Sequence, residues 1–231
     1  IIPGLLKRWY EERQEMQRKM RECGDNEIER EYWDKRQLVK KINLNSLYGA
    51  ILNPGCRFFD MRIGQSVTLT GRCITKHMAS KVNEIVTGEY DHKGESIVYG
   101  DTDSVYFSAY KTLQKEIKDG LIPWTKDSVV GLYDKISEEV NSSFKSFMTK
   151  AFHTPTTRGE VIAAGRELVA SKGLFITKKR YAVLYYDKEG KRTDVEGKEG
   201  KMKAMGLDLK RSDTPVFVQD FLSEILYMVL S

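Results

Sequence analysis

The chain has 231 residues, 40% of them hydrophobic and 31% charged, with 38 Lys and Arg against 33 Asp and Glu for a net charge of +5. That length can bury a sizeable core, as one large domain or one and a half, and the mild basic excess is compatible with a polyanionic partner without specifying one. No apolar run is long enough for a transmembrane helix, and IIPGLLKRWYEER lacks the basic start and apolar core of a signal peptide.

Cys23, Cys56 and Cys73 show no C-x-x-C spacing, so neither a disulfide framework nor a zinc site is indicated, and buried, inert thiols are expected. The chain begins with Ile1 and stops at Ser231 within an apolar helical pattern, which reads as a fragment of a longer, soluble protein.

Residues 5 to 22 form a charge-dense helical pattern with Leu5, Leu6, Trp9, Met16 and Met20 as its apolar members, broken by Cys23-Gly24-Asp25-Asn26. A second helix is expected from Glu27 to Leu47, with Ile28, Tyr32, Val39 and Ile42 at helical spacing. Two such helices make an antiparallel hairpin with too little apolar surface to stand as a domain, so it should project from something larger. Within it, Lys41, Asn45 and Tyr48 of KINLNSLYG put a cation, an amide and an aromatic ring on one stripe. The stripe suits a phosphorylated, planar ligand, or else is simply a half-buried helix face.

After a loop at Asn53-Pro54-Gly55, the spacing predicts a helix over 66 to 87, with Val67, Ile74, Met78, Val82 and Ile85 toward the core. Ser96 to Ser108, SIVYGDTDSVYFS, then reads as a β-hairpin with acids at its tip. Asp101 and Asp103 lie two residues apart and can be aimed at one point, where their mutual repulsion is relieved by a hard divalent cation such as Mg²⁺ or Mn²⁺. Gly, Asp, Thr and Ser are also ordinary residues of a surface turn.

A third long helix is predicted over 125 to 150 from Val129, Tyr133, Ile136, Val140, Phe144 and Phe147, with Pro123 just upstream. Helix, hairpin, helix suggests an α+β layer with both helices on one sheet face. From Val161 to Asp187 the pattern turns to β, with strand-like runs at Leu174 to Ile176 and Tyr181 to Tyr186 around Lys178-Lys179-Arg180. Three consecutive cations on a strand fit a nucleic-acid backbone, or a strand edge guarded against aggregation. Asp187 to Glu199 reads as a polar hairpin turn, and Thr214 as the cap of a last helix with Pro215 at its first position. His77, His92 and His153 are scattered, which gives a metal-dependent phosphohydrolase little support.

In this order KINLNSLYG, YGDTDS and KKRY form a joint pattern that resembles family B DNA polymerases over nearly the whole chain, and KMKAMGLDLKRSDTP looks most like the replicative enzymes of large tailed bacteriophages. The resemblance implies an α+β fold, a palm of antiparallel sheet backed by helices with a projecting two-helix fingers hairpin: fingers over 1–48, palm over 49–205 and the start of a thumb over 206–231. It implies DNA-directed DNA polymerase activity by two-metal nucleotidyl transfer, with Mg²⁺ or Mn²⁺ held by Asp103 and Asp101 and with Glu167 of GREL as accessory acid. Arg13, Lys41, Asn45 and Tyr48 would meet the incoming deoxynucleoside triphosphate, while Tyr99, Lys178, Lys179, Arg180 and Tyr181 would meet the primer end.

Two departures matter: Gln17 stands where relatives usually have a second lysine, with Arg18 or Lys19 as substitutes, and the family's D-x-x-S-L-Y-P-S strand with its first catalytic carboxylate is absent. The fragment alone is therefore expected to be inactive. Its expected partners are primer-template DNA, deoxynucleoside triphosphates, the remaining polymerase segments and a sliding clamp, in the cytoplasm of a phage-infected bacterium. The alternative is a noncatalytic nucleic-acid-binding subunit.

Overall fold

The computed structural model describes residues 2–195 and 197–231, without the side chains of Arg158 and Lys210. Contacts divide the chain into two units, residues 1–70 and 71–231.

In the first unit, α1 (Ile2–Glu22) and α2 (Glu27–Leu52) pair as the expected hairpin. Asn26 starts α2: its side chain accepts from the Glu29 backbone N–H at 3.2 Å and donates to the Glu29 carboxylate at 3.3 Å, so each residue satisfies the other's polar group at the helix start. Asn53, ahead of Pro54, stops it. The apolar residues at helical spacing in α2, Ile28, Tyr32, Val39 and Ile42, are all exposed. The half-buried stripe is instead Trp33, Gln37, Lys40, Leu44 and Leu47, also spaced by four and three. A two-helix contact has no third layer to cover a wholly apolar face, and the long stems of Gln and Lys cover hydrophobic surface while their heads bond outward. Lys40 accordingly pairs with Glu12 of α1 at 2.5 Å.

Helix α3 (Met61–Thr87) begins five residues earlier than its apolar pattern. In the second unit its later turns pack Ile74, Met78, Val82 and Ile85 against Ile136, Val140 and Phe144 of α5 (Lys126–Phe152). Thr125 caps α5 by a reciprocal box with Ser128, and His153 ends it in the left-handed conformation at φ 52°. Ile97 and Phe107 of the hairpin β1 (Ile97–Asp101) and β2 (Ser104–Phe107) close the same core, so both helices lie behind the hairpin as expected. A short helix α4 (Gln114–Lys118) precedes α5, and a single turn α6 (Thr156–Gly159) follows it.

The second sheet contains β3 (Leu168–Thr177), β4 (Arg180–Lys188), β5 (Lys191–Arg192) and β6 (Lys201–Met205), with β4 paired to all three and every pairing antiparallel. The chain is thus α+β, with two separate small sheets among the described residues. Strand β4 is buried on both faces, which explains its unbroken apolar run. Ala182 and Leu184 meet α7 (Val216–Leu230) through Leu222, Leu226 and Leu230, and Tyr186 meets Val129 of α5. Strand β6 is too short and too rich in lysine to be seen in the sequence pattern.

Three expectations are corrected. Lys178 and Lys179 form the two-residue turn between β3 and β4 instead of lying on a strand, because Thr177 pairs directly with Arg180. Pro215 is itself the N-cap of α7, at ψ 143°, and the Thr214 side chain makes no capping bond. None of the three cysteines is buried, and Cys73 is exposed, since its position on α3 falls outside the stripe facing α5.

Two buried polar clusters hold the second unit together. Arg166 donates to Asp134 of α5 and to Asp187 of β4, both at 2.5 Å, and Asp187 is only 2% exposed. Burial opposes the guanidinium's charge, yet the hydrogen bonds to Asp134 and Asp187 prevail and raise its pKa. His77 is buried and stacked on Phe147 with ring centroids 3.9 Å apart. The Ser143 hydroxyl gives its hydrogen to the Val140 carbonyl at 2.6 Å, so its oxygen accepts from Nε2–H of His77 at 2.9 Å. Nδ1 is left to accept from the Tyr90 hydroxyl at 2.7 Å. Burial, helped by nearby Lys81, lowers the imidazole's pKa.

Replacing Arg166 with Met should strand the Asp187 charge and cost about 3–5 kcal/mol in denaturant unfolding, with partial recovery on adding Asp187→Asn; a loss below about 1 kcal/mol would contradict the buried ion pair. A His pKa lowered by folding contributes stability that is complete above the unfolded value of about 6.5 and is lost as pH falls from there through the folded value. Unfolding midpoints at pH 7.5 and 5.5 should therefore differ more in the wild type than in His77→Gln.

Candidate functional site

In the second unit, residues from three distant parts of the sequence converge on the hairpin β1–β2. Pairing runs Tyr99↔Tyr106, Gly100↔Val105 and Asp101↔Ser104, with an irregularity between Ile97 and Tyr99. Asp101 ends β1 half-buried, and Asp103 is exposed in the turn itself. Thr102 between them has φ 26°, a conformation that costs a β-branched residue on the order of 1–3 kcal/mol. Its carbonyl accepts from the Thr75 hydroxyl of α3 at 2.8 Å, and its own hydroxyl donates to Asp101 at 3.1 Å. Helix α3 thus fixes the peptide that separates the two carboxylates.

Among the described residues no backbone pairing joins the two sheets. An aromatic cluster does: Tyr99 and Tyr106 from the hairpin meet Phe175 and Tyr181 from β3 and β4, with ring centroids 5.3 to 5.4 Å apart across the junction. The Lys179 backbone N–H donates to the Tyr99 hydroxyl at 2.7 Å, and the Tyr106 hydroxyl donates to that of Tyr181 at 3.3 Å. Burial, then the Tyr181 contact and the neighbouring Glu167 charge, raise the Tyr106 pKa far above a free phenol, so it stays protonated as a donor. Lys179 sits at φ 62°, and a Cβ on Gly206 at the end of β6 would lie 2.1 Å from the Lys179 carbonyl oxygen, so only glycine lets β6 support this turn.

Lys178, Lys179 and Arg180 present their side chains to solvent on that turn, while Tyr181 is buried in the cluster. Glu167, next to the clamped Arg166, pairs with Lys203 of β6 at 2.8 Å. Asp103, Glu167, Tyr106 and Lys172 all line one cleft of about 470 Å³, bounded by Ser104–Ser108 on one side and Leu168–Gly173 on the other. Both bounding strands, β2 and β3, have an outer edge with no strand partner among the described residues.

The two carboxylates are hard oxygen donors of the kind Mg²⁺ or Mn²⁺ takes. Among the described residues no group of three His, Cys, Asp or Glu is close enough to hold an ion. The pair fits such a cation as part of its ligand set.

In the first unit Arg13 of α1 donates to Gln37 of α2 at 3.2 Å, and Lys41 and Asn45 are exposed one and two turns further along α2. Tyr48 is half-buried with its hydroxyl donating to the Gly64 carbonyl at 3.4 Å. Around Gln17, Arg18 is clamped between Glu15 and Glu22 at 2.7 and 3.0 Å, and Lys19 lies over the Trp33 ring at 4.6 Å, so neither is an uncommitted cation. Thr75, Phe175, Gln37 and Lys203 were not found from sequence. Each is an unremarkable residue for its own element, and its part in the site exists only through a long-range contact.

Relatives lead in the same direction as the geometry. The DNA polymerase of Escherichia phage RB69, named a DNA-directed DNA polymerase, is 34% identical over 206 residues, covering 84% of this chain and 22% of that protein. That of Enterobacteria phage T4, named likewise, is 31% identical over the same span. DNA polymerase 1 of Pyrococcus abyssi is 26% identical over 230 residues, all of this chain and 24% of that protein. The chain therefore spans under a quarter of the length of these curated relatives. No helix among the described residues is long and apolar enough to cross a membrane. With residues 1–231 matching the profile of DNA polymerase family B from end to end, the chain belongs to DNA polymerase family B.

Proposed function

We propose that these residues are the fingers (1–48), most of the palm (49–205) and the start of the thumb (206–231) of a DNA-directed DNA polymerase that adds deoxynucleotides to a primer 3′-hydroxyl. One observation carries this reading above the others: the Tyr99–Lys179 hydrogen bond, within its aromatic cluster, ties the carboxylate turn to the basic turn. A reaction at a polyanion's end requires acids and cations to be held in register, and this bond does so between sheets that share no ladder.

Asp101 and Asp103 would hold Mg²⁺ or Mn²⁺. When bound, the ions supply positive charge that lowers the pKa of the primer hydroxyl and offsets charge on the leaving group. The hydroxyl oxygen forms a bond to the α-phosphorus as the bond to pyrophosphate breaks. Lys178, Lys179 and Arg180 bind backbone phosphates at the primer end, and Tyr99 and Tyr181 give that turn its rigidity. Glu167, balanced by Lys203, faces the same cleft as Asp103. On the fingers, Arg13 and Lys41 bind the triphosphate, and Asn45 and Tyr48 border the new base pair. DNA and deoxynucleoside triphosphates are the partners this reading requires, with a sliding clamp as a further candidate.

The remaining carboxylate comes from polypeptide outside residues 1–231, because the D-x-x-S-L-Y-P-S run occurs nowhere in them. The cleft between the free edges of β2 and β3 is suited to that strand, whose backbone would pair with both. Purified alone, the 231-residue chain should give no primer extension. Mixing it with the preceding polymerase segment should restore extension, and Asp103→Ala should then lower it by more than about a hundredfold. Extension by the isolated chain would overturn the division of the site. Titration of Mn²⁺ should separate wild type from Asp103→Asn, whereas a noncatalytic DNA-binding subunit would respond identically in both.

A further inference from the structure

Arg13 and Gln37 face each other across α1 and α2, and a third residue, Asp34, is hydrogen-bonded behind them. The Gln37 side chain accepts from Arg13 Nε at 3.2 Å through Oε1 and donates to Asp34 Oδ1 at 2.8 Å through Nε2. The chemistry fixes the amide's orientation, since a guanidinium has no acceptor and an ionised carboxylate no donor. Asp34 therefore makes no direct ion pair with Arg13 and is bonded to it through a neutral amide. Among the described residues no carboxylate lies within 4.0 Å of the Arg13 guanidinium, whereas Arg18, one and a half turns along the same helix, is clamped by two.

This arrangement has a physical consequence. A guanidinium held at Nε by a neutral acceptor keeps its full charge and its two terminal NH₂ groups, the fork that matches phosphate oxygens. A carboxylate at position 37 would hold it as firmly but would neutralise it. A residue without an acceptor would leave a long side chain to be ordered only when ligand arrives, at an entropic cost.

We propose that Gln37, locked by Asp34, is a positioning residue that orders Arg13 for the triphosphate without discharging it. The inference rests on the reading of Arg13 as a phosphate ligand. Gln37 touches no reacting atom.

The test is steady-state kinetics on the full-length polymerase that contains this chain, with Gln37→Met, Gln37→Glu, Arg13→Ala and the Arg13→Ala/Gln37→Met double variant. Gln37→Met keeps the side chain's volume and removes the acceptor. It should raise KM for the deoxynucleoside triphosphate by about tenfold with kcat nearly unchanged, the signature of lost ground-state binding. Gln37→Glu should raise KM as well, because it restores the acceptor but neutralises the cation. The double variant should be no worse than Arg13→Ala, since two residues acting as one unit are not additive. Additive losses, or an unchanged KM in Gln37→Met while Arg13→Ala is impaired, would overturn the positioning role and leave the phosphate role of Arg13 standing. An unchanged KM in Arg13→Ala would overturn both.

Discussion

The site depends on a junction between two sheets that share no strand pairing among the described residues. A β-ladder would have fixed the carboxylate hairpin to the larger sheet along its whole length. Four aromatic rings and the Lys179 N–H bond to Tyr99 do so at one end, beside the functional turns. Aromatic pairs in tilted and edge-on contact contribute roughly 0.5–1.5 kcal/mol each beyond the area they bury, and their shape admits few alternative arrangements. The consequence is a rigid connection at the acids and the cations, with the β2 and β3 edges open alongside it.

Several local costs collect at this junction. Thr102 and Lys179 both occupy left-handed backbone, and both are non-glycine residues. Each is held by a contact from elsewhere in the second unit: Thr75 of α3 on one, Tyr99 and the close approach of Gly206 on the other. Strain that would relax in an isolated hairpin is maintained here because the surrounding core over-determines it. The Arg166 clamp does the same for the neighbouring acid, fixing the backbone at Glu167 between α5 and β4.

Electrostatics in the first unit follow a different logic. Most cations on α1 and α2 lie within reach of acids on the same helix or its partner, as Lys7, Arg8, Arg18, Lys35 and Lys40 do, and such exposed pairs contribute little to stability. Their effect is selective. Among the described residues they leave Arg13, Arg21, Arg30, Arg36 and Lys41 of these two helices outside any ion pair.

The long elements were legible in the sequence because each is amphipathic in one register: Val82, Ile136, Val140 and Phe144 pack together as their spacing implied. The carboxylate turn was legible from Gly, Asp, Thr and Ser between aromatic and β-branched runs, and the family from the order of three short motifs. Periodicity did not identify the contact face of α2, where the mixed stripe Trp33, Gln37, Lys40, Leu44 and Leu47 is half-buried while Ile28, Tyr32, Val39 and Ile42 are exposed, because amphipathicity records hydrophobicity and not which neighbour a face meets. It failed on the KKR run for a related reason: a strand and a two-residue turn between strands have the same composition, and only the Thr177–Arg180 pairing distinguishes them. Tertiary structure alone decided the partnerships of Thr75 with Thr102, Tyr99 with Lys179, Arg166 with Asp187 and Lys203 with Glu167, separated by 27, 80, 21 and 36 residues. Local sequence determines which groups a segment can offer; which of them meet is set by how the helices and sheets close around a shared core.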